Sequence, residues 1–516
     1  MIITHNHSLT VLLAGMMADP SVLVDLTVKG ISLDSRDIDV GSVFLSLAKD
    51  ASQRQGNLQQ ALAAKCAVVL FDIEQTLTEQ EKQLLQHADV AAYPIKRLAA
   101  KAGELAARFY GHPSLALTII AVTGTNGKTS VSQFIAQSLE SLGHACGVIG
   151  TLGMGRITDL NYTGMTTPDP VSVQKTLADF CKQGIKYAVI EASSHALAQG
   201  RLNSIAIDVA TLTNLSRDHL DYHGDMATYA AAKSQLFDIT SIKTAVLNSA
   251  DSLGQQLITT LAERNTISVV TYSSSQTESV TIQADHIEMT HAGLSFELVS
   301  EFGSETINSE LVGRFNVDNL LATVASLLAV GMSFEQVMTA VNKCQSVDGR
   351  MQSYGDDNQT QIVIDFAHTP DALTQALISL QAHNSANGDL WCVFGCGGDR
   401  DTGKRALMGK AAHQYADKVV ITDDNPRSED PALIVKDILS GISQPEAVLI
   451  EHDRKLAITH AIKQAKSNDI VLIAGKGHEQ YQEVDGIKHS FSDSQVVTDV
   501  LHAANDDSTT SVGETA

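Results

Sequence analysis

A lysine and a threonine follow a glycine-rich turn in the first half of the chain, and together they could hold the phosphates of a nucleotide. The turn, residues 124–127, comes directly after the apolar, β-branched run 117–122 and leads into Lys128 and Thr129. A strand, turn and helix in this order point backbone N–H groups and a helix N-terminus at a phosphate. Lys128 would then reach the terminal phosphates, and the Thr129 hydroxyl would bind Mg²⁺. The strict pattern has glycine where this chain has Val122, so an ordinary glycine-rich turn is the alternative.

Potential metal ligands follow two further predicted strands in the same region. Glu191 ends the apolar run 187–190, and the predicted strand 207–213 leads into a segment with Asp218 and His219. An acid at the carboxyl end of a strand in a P-loop domain is where a Mg²⁺ ligand belongs. The alternatives are an ordinary strand-end carboxylate and a structural histidine.

Lys233 lies on the apolar face of a predicted helix over residues 228–238. It is four residues from both Tyr229 and Phe237, which share that face. A lysine on an apolar face is costly unless it is paired or chemically altered. It could form a salt bridge or extend its ammonium to water. Alternatively, with a depressed pKa it could react with CO₂ to give a carbamate, an anionic oxygen ligand for a second Mg²⁺.

Four polar motifs in the last third of the chain each follow a predicted strand. The strands are 362–365, 390–394, 418–422 and 470–474, and the motifs cover 365–368, 395–400, 424–427 and 475–479. Strands that alternate with helices predict a mainly parallel, doubly wound sheet. Because ligands of such sheets bind at the carboxyl ends of the strands, the four motifs should converge on one binding edge.

The composition describes an ordinary globular protein with a strongly acidic surface. The 516 residues are 44% hydrophobic and 18% charged, with a formal net charge of −23. Such a surface repels nucleic acid and anionic lipid, so neither is expected as a main partner. The six cysteines form no zinc-like CxxC pair and are typical of reduced thiols in a cytoplasmic protein. The apolar run 9–17 lacks a basic flank and is too short to cross a membrane, so we expect neither a signal peptide nor a membrane span.

The length and element pattern predict an α/β protein of three domains and a tail. Residues 1–112 form a first α/β domain, with strands at 43–45 and 66–71 and a helix over 99–109. Residues 113–345 form the P-loop domain, whose parallel sheet is followed by short antiparallel strands over 270–312 and a helix over 320–330. Residues 346–502 form a Rossmann-like, doubly wound domain. The polar tail, 503–516, is predicted to be disordered.

These motifs together resemble the Mur ligases, the ATP-dependent amino-acid ligases of peptidoglycan precursor synthesis. The resemblance extends from about residue 22 to residue 500. The matching motifs are TGTNGKTS (123–130), EASSHAL (191–197), NLSRDHLDYHG (214–224), YAAAK (229–233), GRFNVDN (313–319) and DGR (348–350). The resemblance implies an N-terminal domain that binds UDP, a central ATPase domain and a C-terminal domain that binds the amino acid.

The resemblance also implies a role for individual residues. The positions matching the ATP site are Gly124, Thr125, Asn126, Gly127, Lys128, Thr129, Ser130, Asn319, Arg350 and Asp365. The implied Mg²⁺ ligands are Thr129, Glu191, His219 and Lys233, the last as a carbamate (N6-carboxylysine). The implied catalytic groups are Lys128, Glu191, His219 and Lys233. The positions matching the UDP-sugar dipeptide site are Leu33, Ser35, Thr166, Thr167, Ser193, Gln199 and Arg201.

Within the family, the C-terminal motifs resemble those of the branch that adds the third residue of the peptide. The positions matching the pocket of the incoming amino acid are Arg400, Asp424, Asn425, Pro426, Arg427, Gly475 and Glu479. The implied substrates are ATP, a UDP-N-acetylmuramoyl dipeptide and meso-diaminopimelate. Arg427 decides for diaminopimelate over L-lysine, because its planar cationic fork suits the extra carboxylate. A structural ion pair of Arg427 with Asp423 or Glu429 is the alternative.

Three other activities compete with this prediction. An L-lysine-adding relative and a folate polyglutamate ligase would share the P-loop and the lysine-bearing helix. A nucleotide-dependent switch would share only the P-loop and would leave the four C-terminal motifs without a role. The motifs at 424–427 and 475–479 argue against the folate enzyme.

Overall fold

The α/β architecture predicted from the sequence is confirmed by a computed structural model that describes residues 7–17, 19–24, 26–264, 266–275, 280–290, 293–355, 360–384 and 388–510. The chain divides into two units. The first comprises Met1–Tyr272 and Ala322–Val337, and the second comprises Ser273–Leu321 and Met338–Ala516.

The N-terminal part of the first unit is built on a parallel four-stranded sheet. Its strands are arranged β3-β4-β5-β6, and buried apolar side chains pack the strands against helices on both faces. A short antiparallel pair, β1 and β2, accompanies it. The strands are β1 (His7–Ser8), β2 (Thr27–Val28), β3 (Gly30–Ser32), β4 (Ser42–Ser46), β5 (Val68–Asp72) and β6 (Ala91–Ile95). The α-helices are α1 (Leu9–Leu12), α2 (Ala51–Ala63), α3 (Glu79–Ala88) and α4 (Leu98–Phe109).

The rest of the first unit carries the P-loop on a second, largely parallel sheet. Six strands are parallel in the order β8-β11-β7-β12-β13-β14, and β9 and β10 extend the β8 edge antiparallel. The strands are β7 (Thr118–Thr123), β8 (Cys146–Gly150), β9 (Gly153–Arg156), β10 (Asp159–Asn161), β11 (Tyr187–Glu191), β12 (Val209–Leu212), β13 (Thr244–Asn248) and β14 (Ser268–Ser273). The helices are α5 (Lys128–Ser141), α6 (Pro170–Lys182), α7 (Ser194–Ala198), α8 (Leu220–His223), α9 (Met226–Ser234) and α10 (Ser252–Arg264).

The second unit holds an antiparallel three-stranded meander and a doubly wound sheet. The meander is β15 (Ile282–Thr290), β16 (Gly293–Ser300) and β17 (Gly303–Ser309). Helices α11 (Phe315–Ala329) and α12 (Phe334–Val341) follow it along the chain.

The doubly wound sheet has the order β18-β19-β23-β20-β21-β22, with β18 antiparallel and the other strands parallel. Separate apolar clusters cover its two faces, as the Rossmann-like prediction requires. The strands are β18 (Gln352–Tyr354), β19 (Gln361–Asp365), β20 (Leu390–Phe394), β21 (Lys418–Ile421), β22 (Leu449–Ile450) and β23 (Ile470–Ala474). Strands β24 (Tyr481–Val484) and β25 (Ile487–Ser490) form a separate antiparallel pair. The helices are α13 (Pro370–His383), α14 (Gly403–Tyr415), α15 (Pro431–Leu439), α16 (Arg454–Gln464) and α17 (Asp493–Thr510).

Three predicted segments differ from the structure. The helix predicted over 228–238 is α9 followed by a 3₁₀ turn, Gln235–Asp238. Helix α11 begins at Phe315 rather than at residue 320, so the asparagines of the GRFNVDN segment lie inside the helix and not before it. Helix α17 extends to Thr510, into the tail for which we predicted disorder, and residues 511–516 lie outside the described part of the chain. Among the described residues, no helix is long and apolar enough to cross a membrane.

Candidate active site

The turn between β7 and α5 folds around the side chain of Lys128. Its Nζ donates hydrogen bonds of 2.9 Å to the carbonyl oxygens of both Gly124 and Thr125. Gly124 has a φ of +151°, and a Cβ there would lie 1.8 Å from Thr213 Oγ1, so no other residue fits. This turn therefore has the wrapped backbone and central lysine that phosphate binding requires.

The neighbouring strand end holds the turn in place. Thr213, directly after β12, donates from Oγ1 to the Asn126 carbonyl at 2.6 Å. The Asn126 backbone N–H donates to Asn214 Oδ1 at 3.0 Å. We did not single out Thr213 from the sequence. The rule that polar residues after adjacent parallel strands converge would have identified it.

Glu191, at the end of β11, accepts hydrogen bonds from two threonines. Thr129 Oγ1 donates to its Oε2 at 2.9 Å, and Thr151 donates from its backbone N–H and from Oγ1 at 2.9 and 3.0 Å. Glu191 is fully buried. The two predicted Mg²⁺ ligands Thr129 and Glu191 are therefore in direct contact, and Thr151 orients the carboxylate. The sequence analysis did not identify Thr151. This residue directly follows strand β8, so the rule that polar residues after adjacent parallel strands converge would have identified it as well.

Lys233 is buried, with 1% of its surface exposed. Its Nζ donates to the Gly124 carbonyl at 2.6 Å and lies 4.4 Å from the centre of the Tyr229 ring. Burial, reinforced by repulsion from Lys128, holds the pKa of Lys233 well below its ordinary value. Among the described residues, no carboxylate forms a salt bridge with Lys233. The structure therefore does not support the salt-bridge alternative for this lysine.

His219, the residue directly before α8, adopts a left-handed backbone conformation with a φ of +53°. Its Nε2 lies 3.4 Å from the Asp218 carboxylate. Burial lowers the pKa of His219, and the nearby Asp218 opposes that shift. A neutral imidazole is the form that can bind a metal ion.

A cavity of about 230 Å³ joins the P-loop lysine to the residues predicted to hold the sugar dipeptide. Arg201 Nη1 donates to the Thr167 carbonyl at 2.5 Å, and Arg201 also binds Gln199 Oε1. Thr167 Oγ1 lies 3.1 Å from Ser193 Oγ. The predicted residues that line the cavity are Lys128, Thr166, Thr167, Ser193, Arg201, His219 and Lys233; Met165, Ser194, His195 and Tyr229 complete the lining. A larger cavity of about 540 Å³, around residues 203–206 and 235–241, contains none of the predicted residues.

Leu33 and Ser35 lie away from that lining, in the N-terminal sheet region. Ser35 is buried, and its Oγ donates to Gln60 Oε1 on α2 at 2.8 Å. Leu33 is half-buried against the apolar cluster of that region. Their part in binding a UDP group stays a prediction.

The remaining predicted ATP residues belong to the second unit. Asn319 is buried within α11, and its Nδ2 donates to Asn316 Oδ1 at 2.9 Å. Asp365, at the end of β19, accepts from the Met351 backbone N–H at 2.8 Å, and burial raises the pKa of this carboxyl although Arg350 opposes the shift. The Arg350 guanidinium lies 4.6 Å from the centre of the Phe366 ring.

Residues predicted to bind the incoming amino acid meet at one edge of the doubly wound sheet. Asn425 Nδ2 donates to Glu479 Oε2 at 2.9 Å. Lys476 Nζ donates to Glu479 Oε2 at 2.9 Å and to Asn425 Oδ1 at 3.1 Å, and it lies 3.9 Å from Asp424 Oδ1. Gly475 has a φ of +116°, and a Cβ there would lie 2.6 Å from Asp424 Oδ2. Lys476, fully buried, is a member of this cluster that we did not predict.

Arg427 lies at the same edge, after Pro426. Its Nη1 donates to the Gly398 carbonyl at 2.6 Å, and its Nε is 3.5 Å from Glu483 Oε2. Arg427 does form an ion pair, but its partner is neither Asp423 nor Glu429, the two carboxylates considered from the sequence. Asp423 binds His452 at 2.8 Å and Glu429 binds Arg405 at 2.8 Å, whereas the counter-charge of Arg427 is on strand β24. Arg400 is exposed, and the described residues form no hydrogen bond or ion pair with it.

The described residues contain no ready-made group of three histidine, cysteine or acidic side chains that could hold a metal ion. The predicted Mg²⁺ set does not require one, since it draws on the Thr129 hydroxyl and on a carbamate in addition to Glu191 and His219.

Two stretches of the chain match known domains. Residues 122–327 match the Mur ligase middle domain, and residues 349–477 match the Mur ligase glutamate ligase domain. The chain belongs to the Mur ligase family. Membership confirms the resemblance found in the sequence and makes the chain an ATP-dependent peptide ligase.

Individual Mur ligases are similar over nearly their whole length. The UDP-N-acetylmuramoyl-L-alanyl-D-glutamate–2,6-diaminopimelate ligase of Pseudomonas putida is 43% identical over 91% of this chain and 94% of its own. The ligase of the same name from Xanthomonas campestris is 43% identical over 95% and 97%. A solved structure of a ligase with this name has a TM-score of 0.71 and 38% identity, over 97% of this chain and 99% of its own.

Proposed function

We propose that this chain is the Mur ligase that joins meso-diaminopimelate to the D-glutamyl γ-carboxylate of UDP-N-acetylmuramoyl-L-alanyl-D-glutamate, in the cytoplasm and at the expense of ATP. The similar relatives that carry this activity in their names support it over the L-lysine and folate alternatives. The observation that carries the proposal is the 230 Å³ cavity. It places Lys128 of the P-loop beside Thr166, Thr167, Ser193 and Arg201, the predicted binding residues of the acceptor.

The reaction follows from the poor reactivity of a carboxylate towards an amine. An oxygen of the γ-carboxylate attacks the γ-phosphorus of ATP, which releases ADP and leaves an acyl phosphate. The amine of diaminopimelate then attacks the acyl carbon; it loses a proton, and inorganic phosphate leaves as the amide forms. Lys128 carries the positive charge that stabilises the phosphoryl oxygens as they pass between the two substrates. Arg201, tied to Thr167, orients the acceptor in the cavity.

The residues present suit Mg²⁺. Thr129 and Glu191 are oxygen donors already in contact at 2.9 Å, and the lowered pKa of His219 keeps a neutral nitrogen donor available. The ligands of Mg²⁺ would be Thr129, Glu191, His219 and a carbamate on Lys233. The ion would neutralise the negative charge of the phosphoryl group during its transfer.

Lys233 suits carbamate formation because the reaction needs a neutral amine. The Nζ lone pair attacks CO₂, a new N–C bond forms, and one proton is released to solvent. Burial and the neighbouring Lys128 lower the pKa of Lys233, which raises the neutral fraction at neutral pH. The carbamate product is an anion that attracts Lys128, whereas the protonated amine repels it.

A ligation assay tests the proposal directly. The purified chain is given ATP, Mg²⁺, the UDP-N-acetylmuramoyl dipeptide and one amino acid at a time, and release of phosphate is measured together with formation of the peptide product. We expect product with meso-diaminopimelate, and we expect phosphate release to require both the dipeptide and the amino acid. Phosphate release that is independent of both substrates, or equal product from L-lysine, would contradict it.

A further inference from the structure

Arg454, the first residue of α16, is a buried cation next to the strand that leads into the amino-acid pocket. Its Nε and Nη2 each donate to the Asp493 carboxylate at 2.7 Å. Nη2 also donates to the carbonyl oxygen of Ala474 at 3.1 Å. Neither Arg454 nor Asp493 belongs to the motifs that the sequence analysis singled out.

The bond to Ala474 acts on the backbone at the position where β23 ends and the pocket begins. The next residue is Gly475, which has a left-handed φ of +116° and whose lack of a Cβ leaves space for the Asp424 carboxylate. The Gly475 N–H donates to the Asp365 carbonyl on the neighbouring strand at 3.1 Å. The peptide between residues 474 and 475 is therefore held on both sides, by Arg454 at its oxygen and by β19 at its nitrogen.

The charge of Arg454 also acts on Asp424. Burial raises the pKa of Asp424, and the positive charge of Arg454, followed by that of Lys476, opposes this shift. The negative groups around Asp424 that act in the other direction are Glu479 and Asp493. An ammonium group of a substrate binds best to an ionised Asp424, so a fixed cation that limits the rise of this pKa favours binding.

A second buried arginine–carboxylate pair lies in the N-terminal part of the chain. Arg54 donates from Nε and Nη2 to Glu81 at 2.7 and 3.1 Å, and this pair is also buried, with 6% of the Arg54 side chain exposed against none of Arg454. That pair joins α2 to α3 in the N-terminal sheet region and contacts none of the predicted site residues. It provides a matched control for loss of a buried arginine–carboxylate pair.

We propose that Arg454 is a positioning residue for the amino-acid pocket, which fixes the Ala474–Gly475 peptide at the point where β23 enters the pocket. This inference rests on the proposed function, because it assigns the pocket to the incoming amino acid. Arg454 itself does not touch the reacting atoms in this account.

The test compares Arg454→Met with Arg54→Met in steady-state ligation of meso-diaminopimelate, using the full chain. We expect the KM for diaminopimelate to rise about tenfold or more in Arg454→Met, with the KM values of ATP and the UDP dipeptide changed less than about twofold. Arg54→Met should lower the thermal midpoint but leave all three KM values unchanged. If Arg454→Met folds and its KM for diaminopimelate is unaltered, the proposal is refuted and Arg454 has only a structural role.

A pH profile of kcat/KM for diaminopimelate gives a readout that loss of packing alone does not move. Its acidic limb should move to higher pH in Arg454→Met, because Asp424 loses a cation, and to lower pH in Asp493→Asn, because Asp424 loses a neighbouring anion. If Arg454→Met does not fold, the shift in Asp493→Asn decides the matter, and an unmoved limb overturns the inference. Failure of the native chain to ligate diaminopimelate would refute the proposed function instead, before any variant is compared.

Discussion

The guanidinium of Arg427 should decide which amino acid the enzyme accepts, and the structure sets the size of the effect. Removing one partner of a buried, hydrogen-bonded charge pair costs about 2–5 kcal/mol. Arg427 keeps 21% of its side-chain surface exposed, and Glu483 lies 3.5 Å away as a partial counter-charge. When L-lysine binds in place of diaminopimelate, Arg427 is therefore not left wholly unpaired. We expect the lower end of the range, about 2 kcal/mol, which corresponds to roughly 30-fold discrimination.

The assay measures kcat/KM for meso-diaminopimelate and for L-lysine with the native chain, Arg427→Ala and Glu483→Gln. Arg427→Ala should lose about 30-fold in kcat/KM for diaminopimelate and little for lysine. Glu483→Gln provides the control of opposite sign: without its internal counter-charge, Arg427 depends more on the substrate carboxylate, and discrimination should increase. Equal use of the two amino acids by the native chain, or undiminished use of diaminopimelate by Arg427→Ala, would refute the reasoning.

Three further predictions concern the first unit. Lys233→Ala should nearly abolish ligation, with partial recovery on addition of short-chain carboxylates; full activity of this variant would contradict the carbamate. Glu191→Ala and His219→Ala should each raise the Mg²⁺ concentration needed for half-maximal acyl phosphate formation while UDP-dipeptide binding, followed by calorimetry, stays within about twofold. Burial alone would raise the pKa of Glu81, but the bonds from Arg54 and from the Thr78 cap outweigh it and the pKa is lowered. The stabilisation is therefore present above the unfolded pKa of about 4.3 and is lost as the pH falls through the folded value. Denaturant titrations at pH 7 and at pH 3 should show this loss in the native chain and a smaller one in Glu81→Gln.

The strands that carry the site could be predicted because each is a continuous apolar run. The segments 390–394 and 470–474 have the same bounds in the sequence analysis and in the structure, as β20 and β23. A buried parallel strand has such a run because both of its faces are covered. Motifs placed directly after these runs therefore converge, as the contacts of Asn425 with Glu479 and Lys476 demonstrate.

Pairings between distant segments could not be predicted. Glu483 is 56 positions from Arg427, and it reaches that side chain because Arg427 forms a parallel bridge with Val484 of strand β24. Asp493 is likewise 39 positions from Arg454. Nothing in the local pattern favours these carboxylates over Asp423 or Glu429, which are nearer along the chain. The backbone path determines which carboxylate lies next to each arginine, and that path cannot be inferred from the local sequence around the arginine.

The pairing of β19 with β23 restricts how this enzyme family can acquire a new substrate. Asp365, at a predicted ATP position, lies opposite Ala474 in the ladder, and the Gly475 N–H bonds to its carbonyl. A change in the length of the loop after β23 that displaced Gly475 would disturb this bond, and so would act on the predicted ATP residue Asp365 as well as on the predicted amino-acid pocket. The loop after β21, which carries Arg427, has no such bond to β19, since β20 and β23 separate the two strands. A change of amino-acid specificity at this edge is therefore expected to come from the 424–427 segment, together with its partners Glu479 and Lys476, and not from a change in the length of the loop after β23.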